Sequence, residues 1–584
     1  MTIAHPLSGH GANAPEPGSP GAEAPPTGPA RAEPSKAESM KLRSRHLRGT
    51  LAEELANGQD RFAGDSPGLL KFHGMYQQEN RDERKTKAKA ERAHRLMVRS
   101  RIPGGLLGAA QLRAYLDIAE RLADGTLRIT TRQSLQLHGV AKGDVKAAVQ
   151  AIHAALLTTA GACGDLVRNV MVTPDPSPRP ALEALRAAAV ELSDHFRPAT
   201  HAYAEIWLDD EPVAEVASPE PIYGSAYLPR KFKMGMTLEG DNSIDAYTQD
   251  LAFVAFVDRD DRIVGYDVLA GGGLGKTHRN ARTFPRLADE IVFIEPAALR
   301  AVAEAAVGIH RDFGDRADRK HARLKYVLEE RGAEWFRAEL ARRSGAAPHS
   351  FRPLRMEVPL WYGWHGPAGG PLSLGIHVPS GRIKDDGALR LRAFLKGLAD
   401  DGRIAFRLTP QQHLLALGIE PERRLEIELL AASHGIGLDS RVSLTKQALA
   451  CPALPTCGLA LSEAERVLPD LARSLEMSLR AAHPETTQPP IVRVTGCPNG
   501  CARPYTAEIG IVGNGPRMYA LYLGGDRFGT RLAREFQERI DIDRLVALLA
   551  DLFARWAREA PLEAFGDFVH ARWDALRPVS AASA

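Results

Sequence analysis

Asp124-Gly125-Thr126-Leu127-Arg128-Ile129-Thr130-Thr131-Arg132-Gln133 returns later in the chain as Asp401-Gly402-Arg403-Ile404-Ala405-Phe406-Arg407-Leu408-Thr409-Pro410-Gln411-Gln412. Each copy runs on to a glycine and a β-branched residue, Gly139-Val140 and Gly418-Ile419. Each follows an amphipathic stretch, Gln111–Asp124 and Ala388–Ala399; in the first, Leu112, Leu116, Ala119 and Leu122 keep helical spacing. Further upstream, Ile102-Pro103-Gly104-Gly105 is echoed by Val378-Pro379-Ser380-Gly381. Self-similarity of this kind marks an internal duplication. Gly125 closes the first helix, and Leu127 to Val140 reads as one strand.

The repeat continues outward. Leu251–Val257, Ile263–Ala270 and Gly271-Gly272-Gly273-Leu274-Gly275 resemble Ala507–Val512, Arg517–Leu523 and Gly524-Gly525-Asp526-Arg527-Phe528-Gly529: two short strands and a glycine-rich turn in each half. Helical stretches alternate with them at Ala181–Phe196, Pro296–Phe313, Ser462–Ala482 and Asp541–Glu559. The fold class expected is therefore α+β with mixed α/β units related by a pseudo-twofold axis, and a ligand shared by both halves would lie on that axis, where domain interfaces form large pockets.

At 584 residues the chain exceeds what one core supports, so several folding units are expected. Residues 1–40, rich in Pro, Gly and Ala, read as a disordered tail, because they bury too little apolar surface to offset the entropy of ordering. Residues 41–94 form a charged arm, either solvated or lying over the body, with a docked segment at Leu70-Lys71-Phe72-His73-Gly74-Met75-Tyr76-Gln77-Gln78. Residues 95–160 pair with 355–430, 161–354 form the first α/β domain, 431–578 the second, and 579–584 a short tail.

A net charge of +3 gives no global field that would recruit nucleic acid or an anionic membrane. No apolar run approaches eighteen residues, and no secretory leader is read at the N-terminus. Five cysteines, an odd number, suit a reducing compartment in which thiols bind metal, so a cytoplasmic location is expected.

Four of those cysteines fall into two pairs, Cys451-x5-Cys457 and Cys497-Pro498-Asn499-Gly500-Cys501. Buried structural thiols would not need Pro and Gly turns around each pair. A structural zinc usually has two to four residues between paired ligands. A [4Fe-4S] cluster accepts wider spacing and turns whose N–H groups point at sulfur. Cations gather in the other half. In Tyr227-Leu228-Pro229-Arg230-Lys231-Phe232-Lys233, strand alternation turns Lys231 and Lys233 to one face and Phe232 to the other. Arg168 in Arg168-Asn169-Val170, together with Arg99, Arg101, Arg128, Arg132 and the Arg319-Lys320-His321-Ala322-Arg323-Leu324-Lys325 segment, adds forks suited to oxyanions and carboxylates. A solvated, pairing-resistant edge is the plainer reading of such a strand. In repeat register the basic strand should sit roughly where Ile491–Cys497 sits. The glycine-rich turns lack the G-x-G-x-x-G context of a dinucleotide site, so electrons should come from another protein.

These motifs, from about Leu69 to Pro578, resemble the siroheme-dependent sulfite and nitrite reductases. The resemblance implies a duplicated fold of ferredoxin-like half domains plus two siroheme/iron-sulfur domains. It implies a [4Fe-4S] cluster on Cys451, Cys457, Cys497 and Cys501, with Cys501 also serving siroheme. It further implies substrate cations at Arg99, Arg168, Lys231 and Lys233. Cofactor contacts would fall at Arg132, Arg230, Lys320, Arg323, Asn499 and Cys501, since siroheme carries many carboxylates. The reaction implied is six-electron reduction of sulfite to sulfide, or of nitrite to ammonia, fed by a flavoprotein or a ferredoxin. Some members of this family join a cysteine at the position of Cys163 covalently to a tyrosine, for which Tyr76 would be the partner; a free buried thiol is the other reading. Outside the family, a zinc-stabilised basic module is the rival reading.

Overall fold

A computed structural model describes residues 33–88, 91–199, 206–208, 211–214 and 220–577. The stretch Leu127–Val140 is two strands rather than one, Leu127–Ile129 and Leu135–Val140, folded into an antiparallel pair. The tight turn between them, with Gln133 in the left-handed region, is what presents Arg132.

Two five-stranded sheets carry the half domains. In the first, Met75–Glu79, His94–Arg99, Leu135–Val140 and Leu127–Ile129 lie side by side, and the fifth position is taken by Arg382–Ile383 from the other half. In the second, Gly363–His365, Leu372–Ile376, Leu414–Ile419 and Ala405–Leu408 are completed by Leu106–Leu107 from the first half. Each half thus lends the other a two-residue strand. Gly105 and Gly381 make the exchange possible. Both have φ of +71°, and a Cβ would lie 2.7 Å from the Leu408 carbonyl oxygen at Gly105 and 2.5 Å from that of Ile129 at Gly381. The arm therefore supplies an edge strand to the body.

The two larger sheets repeat each other strand for strand. Met171–Val172, Met234–Leu238, Leu251–Val257, Ile263–Ala270 and Asp289–Ile294 are joined by two parallel and then two antiparallel pairings. Leu449–Ala450, Val492–Thr495, Ile509–Gly515, Met518–Leu523 and Arg534–Ile540 follow the same order and directions. Helices Pro180–His195 and Leu299–Phe313 belong to the first unit, and Leu468–Ala482 and Ile542–Glu559 to the second. The hydrophobic face of the last is buried through Leu545, Leu549, Leu552, Phe553 and Trp556.

Met234 pairs with Leu251 as Val492 pairs with Ile509. Counting from these residues sets Lys233 beside Ile491 and Glu239 beside Cys497. The lysines precede their strand and the cysteines follow theirs, so the two motifs occupy opposite ends of equivalent strands, not the same place in the repeat as expected. The same count makes Asp245 and Arg503 equivalent. Both adopt left-handed φ (50° and 61°), and each precedes a single 3-10 turn. They also touch, Arg503 Nη1 to Asp245 Oδ2 at 2.7 Å, which places this pair on the pseudo-twofold axis.

The ordered body begins earlier than expected. Residues 1–32 of the tail lie outside the described residues, but helix Lys36–Leu42 starts within the remainder. Lys41 is fully buried, donating to the Leu228 carbonyl at 2.7 Å and pairing with Glu38. A buried ammonium is tolerated only with such partners, and one of them, the Leu228 carbonyl, lies far away in sequence. Residues 579–584 lie outside the described residues.

Candidate cofactor cleft

The axis opens into a cavity of about 330 Å3. Arg230, Lys231 and Lys233 line it from the first α/β unit, together with Arg319, Lys320 and Arg323, and Asn499, Gly500 and Arg503 close it from the second. With Lys276, eight of its lining side chains are Lys or Arg and none is Asp or Glu.

The alternation expected of the basic segment is present, although the segment is an extended stretch bridged to Val167 at Phe232 and not a strand. Phe232 is fully buried, and its N–H and C=O are held by Leu166 and Arg168, while the flanking lysines face the cleft. Burying such a ring contributes about 1.5–3 kcal/mol, enough to hold the lysines in one orientation. Both lysines keep some exposed surface, yet their amines are surrounded by cations. Burial, then Arg230, Lys233, Arg168 and Arg323, drives Lys231 well below the usual lysine range. Burial, Arg323 and Arg132 pull Lys233 down to about 7, with Asp250 and Cys501 opposing. A cleft so crowded with positive charge suits a polyanion.

Two buried carboxylates organise these cations. Asp165 accepts from Arg319 at 2.6 and 2.9 Å and lies 3.8 Å from both Lys41 and Arg230. Burial alone would raise its pKa, but Arg319, Lys41 and Arg230 hold it at about 2. Asp250 takes a bidentate pair from Arg323 at 2.9 and 2.7 Å and the Lys233 N–H at 2.8 Å. Neither carboxylate was singled out from sequence. Arg503 and Lys276 were also missed as lining residues; Lys276 donates its N–H to the Pro498 carbonyl at 3.0 Å, tying the first glycine-rich turn to the cysteine loop.

The cysteine loops meet at the far wall. The thiols of Cys451, Cys457, Cys497 and Cys501 are near enough to act on one another electrostatically. Burial, reinforced by Cys501, pushes Cys497 up to about 12, so this sulfur needs external positive charge to ionise. Donors are in place. Gly496 N–H reaches Cys451 Sγ at 3.3 Å, Asn499 Nδ2 reaches Cys497 Sγ at 3.6 Å, and the amides of Leu459 and Ala460 turn to Cys457. Among the described residues, no three such ligands cluster as they would around a single ion, where a tetrahedral zinc with bonds of about 2.3 Å would draw its sulfurs to about 3.8 Å. The donor set, four thiols ringed by N–H groups, fits an iron-sulfur cluster. Cys501 is exposed, follows Gly500 of the cleft wall, and has its carbonyl held by Thr131 Oγ1 at 3.1 Å. The eight cations beside it fit a large carboxylated ring.

Three expected residues stand elsewhere. Arg132 is turned away from the cavity, donating to Gln249 at 2.7 Å and to the Asn169 and Met234 carbonyls at 2.6 and 3.2 Å; only its buried Nε has no partner. Arg99 and Arg168 form a group behind the lysines. Arg99 Nη1 lies 3.1 Å from Cys163 Sγ, and Arg168 donates to the Gly164 carbonyl at 3.1 Å. Tyr76 joins them: burial, then Cys163, raises its hydroxyl pKa against the pull of both arginines. Lys325 sits beneath the cleft, donating to the carbonyls of Gly273 and Gly275 at 3.0 and 2.9 Å.

The chain is similar to known proteins in sequence and in fold. Residues 88–155 match the family described as Nitrite/Sulfite reductase ferredoxin-like half domain, and residues 188–347 match Nitrite and sulphite reductase 4Fe-4S domain. The second match contains none of the five cysteines, so it marks the first copy of the repeat. The chain is 46% identical over 545 residues to the sulfite reductase [NADPH] hemoprotein beta-component of Myxococcus xanthus, covering 92% of this chain and 96% of that one. It is 45% identical to the protein of the same description from Methylobacterium nodulans, covering 91% and 89%. Among solved structures, the NirA protein of Mycobacterium tuberculosis superposes with a TM-score of 0.76 at 24% identity, over 93% of this chain and 98% of that one. That likeness shows the fold.

Proposed function

This chain belongs to the nitrite and sulphite reductase family, and from that premise we propose that it is the hemoprotein component of an NADPH-dependent sulfite reductase, reducing sulfite to sulfide. One observation carries the reading: across the pseudo-twofold axis, Lys231 and Lys233 of one half face the Asn499–Cys501 loop of the other. Siroheme and a [4Fe-4S] cluster, when bound, supply the electrons and the metal at which sulfur is reduced.

The chain's own residues supply the rest. Cys451, Cys457, Cys497 and Cys501 hold the cluster, with Cys501 nearest the cleft. Arg230, Arg319, Lys320, Arg323 and Arg503 neutralise ring carboxylates, Asp165 and Asp250 fixing the guanidinium planes beforehand. Lys231 and Lys233 bind the oxyanion. Adding six electrons to an anion in a low-dielectric cleft builds charge unless protons arrive with them. Held against the oxyanion, the two lysine ammonium groups each give up a proton as S–O bonds break and regain it from solvent. Arg99 and Arg168, set behind them with Tyr76 and Cys163, add positive potential. The electron donor under this reading is a flavoprotein that takes electrons from NADPH. Among the described residues no helix is long and apolar enough to cross a membrane.

The test is a visible and EPR spectrum with iron analysis of the purified protein, followed by sulfite-dependent oxidation of a reduced viologen with sulfide measured. A coloured protein that makes sulfide and prefers sulfite to nitrite is expected. A colourless zinc protein, or one without sulfide production, overturns the proposal. NADPH-driven turnover should require an added flavoprotein subunit.

A further inference from the structure

The N-terminal arm reaches the cluster loop through Arg81. This residue opens the 3-10 turn Arg81–Lys85, capped by the Asn80 side chain, which accepts from the Asp82 N–H at 3.0 Å. Its own N–H donates to the Pro455 carbonyl at 3.0 Å, and its Nη1 donates to the Cys457 carbonyl at 3.1 Å and to the Ala460 carbonyl. One side chain therefore grips both ends of the turn Cys457–Ala460. Inside that turn the amides of Leu459 and Ala460 point at the Cys457 thiol, and the Arg81 charge acts on the same sulfur. Beside it, Asp82 pairs with Arg466 at 2.6 Å, anchoring the arm to the second α/β unit. A segment that only covered the surface would need neither a guanidinium between two carbonyls of a ligand loop nor a cation beside a ligand sulfur.

We propose that Arg81 is a positioning residue for the cluster: it holds the Cys457 turn in the shape that aims N–H groups at sulfur, and its charge raises the cluster's reduction potential. The proposal rests on the cluster assignment made above. Hydrogen bonds to sulfur and nearby charge are the protein's principal levers on such potentials, and both pass through this one side chain. Removing the cation favours the oxidised cluster, so the potential falls. Loosening the turn exposes the ligand loop, so iron leaves faster.

The experiment is an EPR-monitored redox titration of the full-length holoenzyme, with the rate of iron release to a chelator, for wild type, Arg81→Met and Arg81→Lys. Arg81→Met should shift the potential to more negative values and release iron several-fold faster. Arg81→Lys, which keeps the charge but cannot span both carbonyls, should keep most of the potential and still release iron faster. An unchanged potential in Arg81→Met overturns the proposal whatever the release rate, because loss of packing alone would not need to move it. If Arg81→Met does not assemble, an unchanged release rate in Arg81→Lys overturns it. Absence of any [4Fe-4S] signal in the wild type would instead sink the cluster assignment.

Discussion

The two α/β units have the same five strands in the same order, yet one presents cations and the other thiols. Their special residues sit at opposite ends of equivalent strands, and the twofold brings those ends together on one side only. On the other side a smaller cavity of about 200 Å3 remains. There Gln411 stands at the position of Arg132, Gln447 at that of Asn169, and Ile491 at that of Lys233. The loop that could face them, Glu239-Gly240-Asp241-Asn242, has an acid where the other unit has Cys497. Duplication supplied two frames, and on the proposed reading a few side chains made one of them a redox site.

If that difference is the source of activity, Cys501→Ser should have the largest effect. It should lose cluster iron and the visible spectrum together, with no sulfide formed; a variant retaining both spectra would break the shared-wall arrangement. Lys231→Met and Lys233→Met come next. Each should keep both spectra while viologen-driven turnover falls by about 10²–10⁴, the span of general acid catalysis. Full turnover in either would remove that lysine from proton delivery.

Asp165→Asn tests the frame behind the cations. It removes the carboxylate that half-buried Arg319 grips while Lys41 keeps Glu38, a loss of about 1.5–3 kcal/mol, to be read as a lowered urea midpoint in the cofactor-free protein. Little change would mean that solvent already screens the cluster of charges. The smallest effect is that of pH. Lys233 binds its proton below about 7 when folded but up to 10.5 when unfolded. Between these values the unfolded chain holds more protons, so cofactor-free stability should rise with pH from 7 to about 9. Above that, the cysteine thiols, raised by burial, pull the other way. Filling the cleft with a polyanion raises the folded Lys233 value, so the slope should flatten in the loaded protein. Equal Tm changes between pH 7 and 9 in both forms would contradict the crowding of cations.

Much of this was legible in residue order. The repeated Asp-Gly hairpins showed the duplication, and the Lys-Phe-Lys alternation placed both lysines on one face, which the extended backbone bridged at Phe232 preserves. The paired cysteines announced a soft-metal site. Three inferences went astray for one reason. The basic strand was set in the wrong register, Arg132 was expected in the cleft, and the arm was taken to begin at residue 41 after a tail. Each depended on a contact that the local sequence does not fix: the Met234–Leu251 pairing, the Gln249 side chain 117 positions from Arg132, and the Leu228 carbonyl, 187 positions away, that admits Lys41 to the interior.

By itself, then, the sequence determined the architecture and the chemical inventory: two copies of one frame, four thiols in two close pairs, and an excess of local cations within a chain of net charge +3. Periodicity and spacing are local properties, and they survive in one dimension. Only the tertiary structure decided which cations face the thiols, that Asp165 and Asp250 orient them, that Asp245 and Arg503 meet on the axis, and that Arg81 of the arm grips the Cys457 turn. Burial makes an unpartnered charge costly, but sequence does not say which partner will be near, because that is set by how two folded halves close on each other.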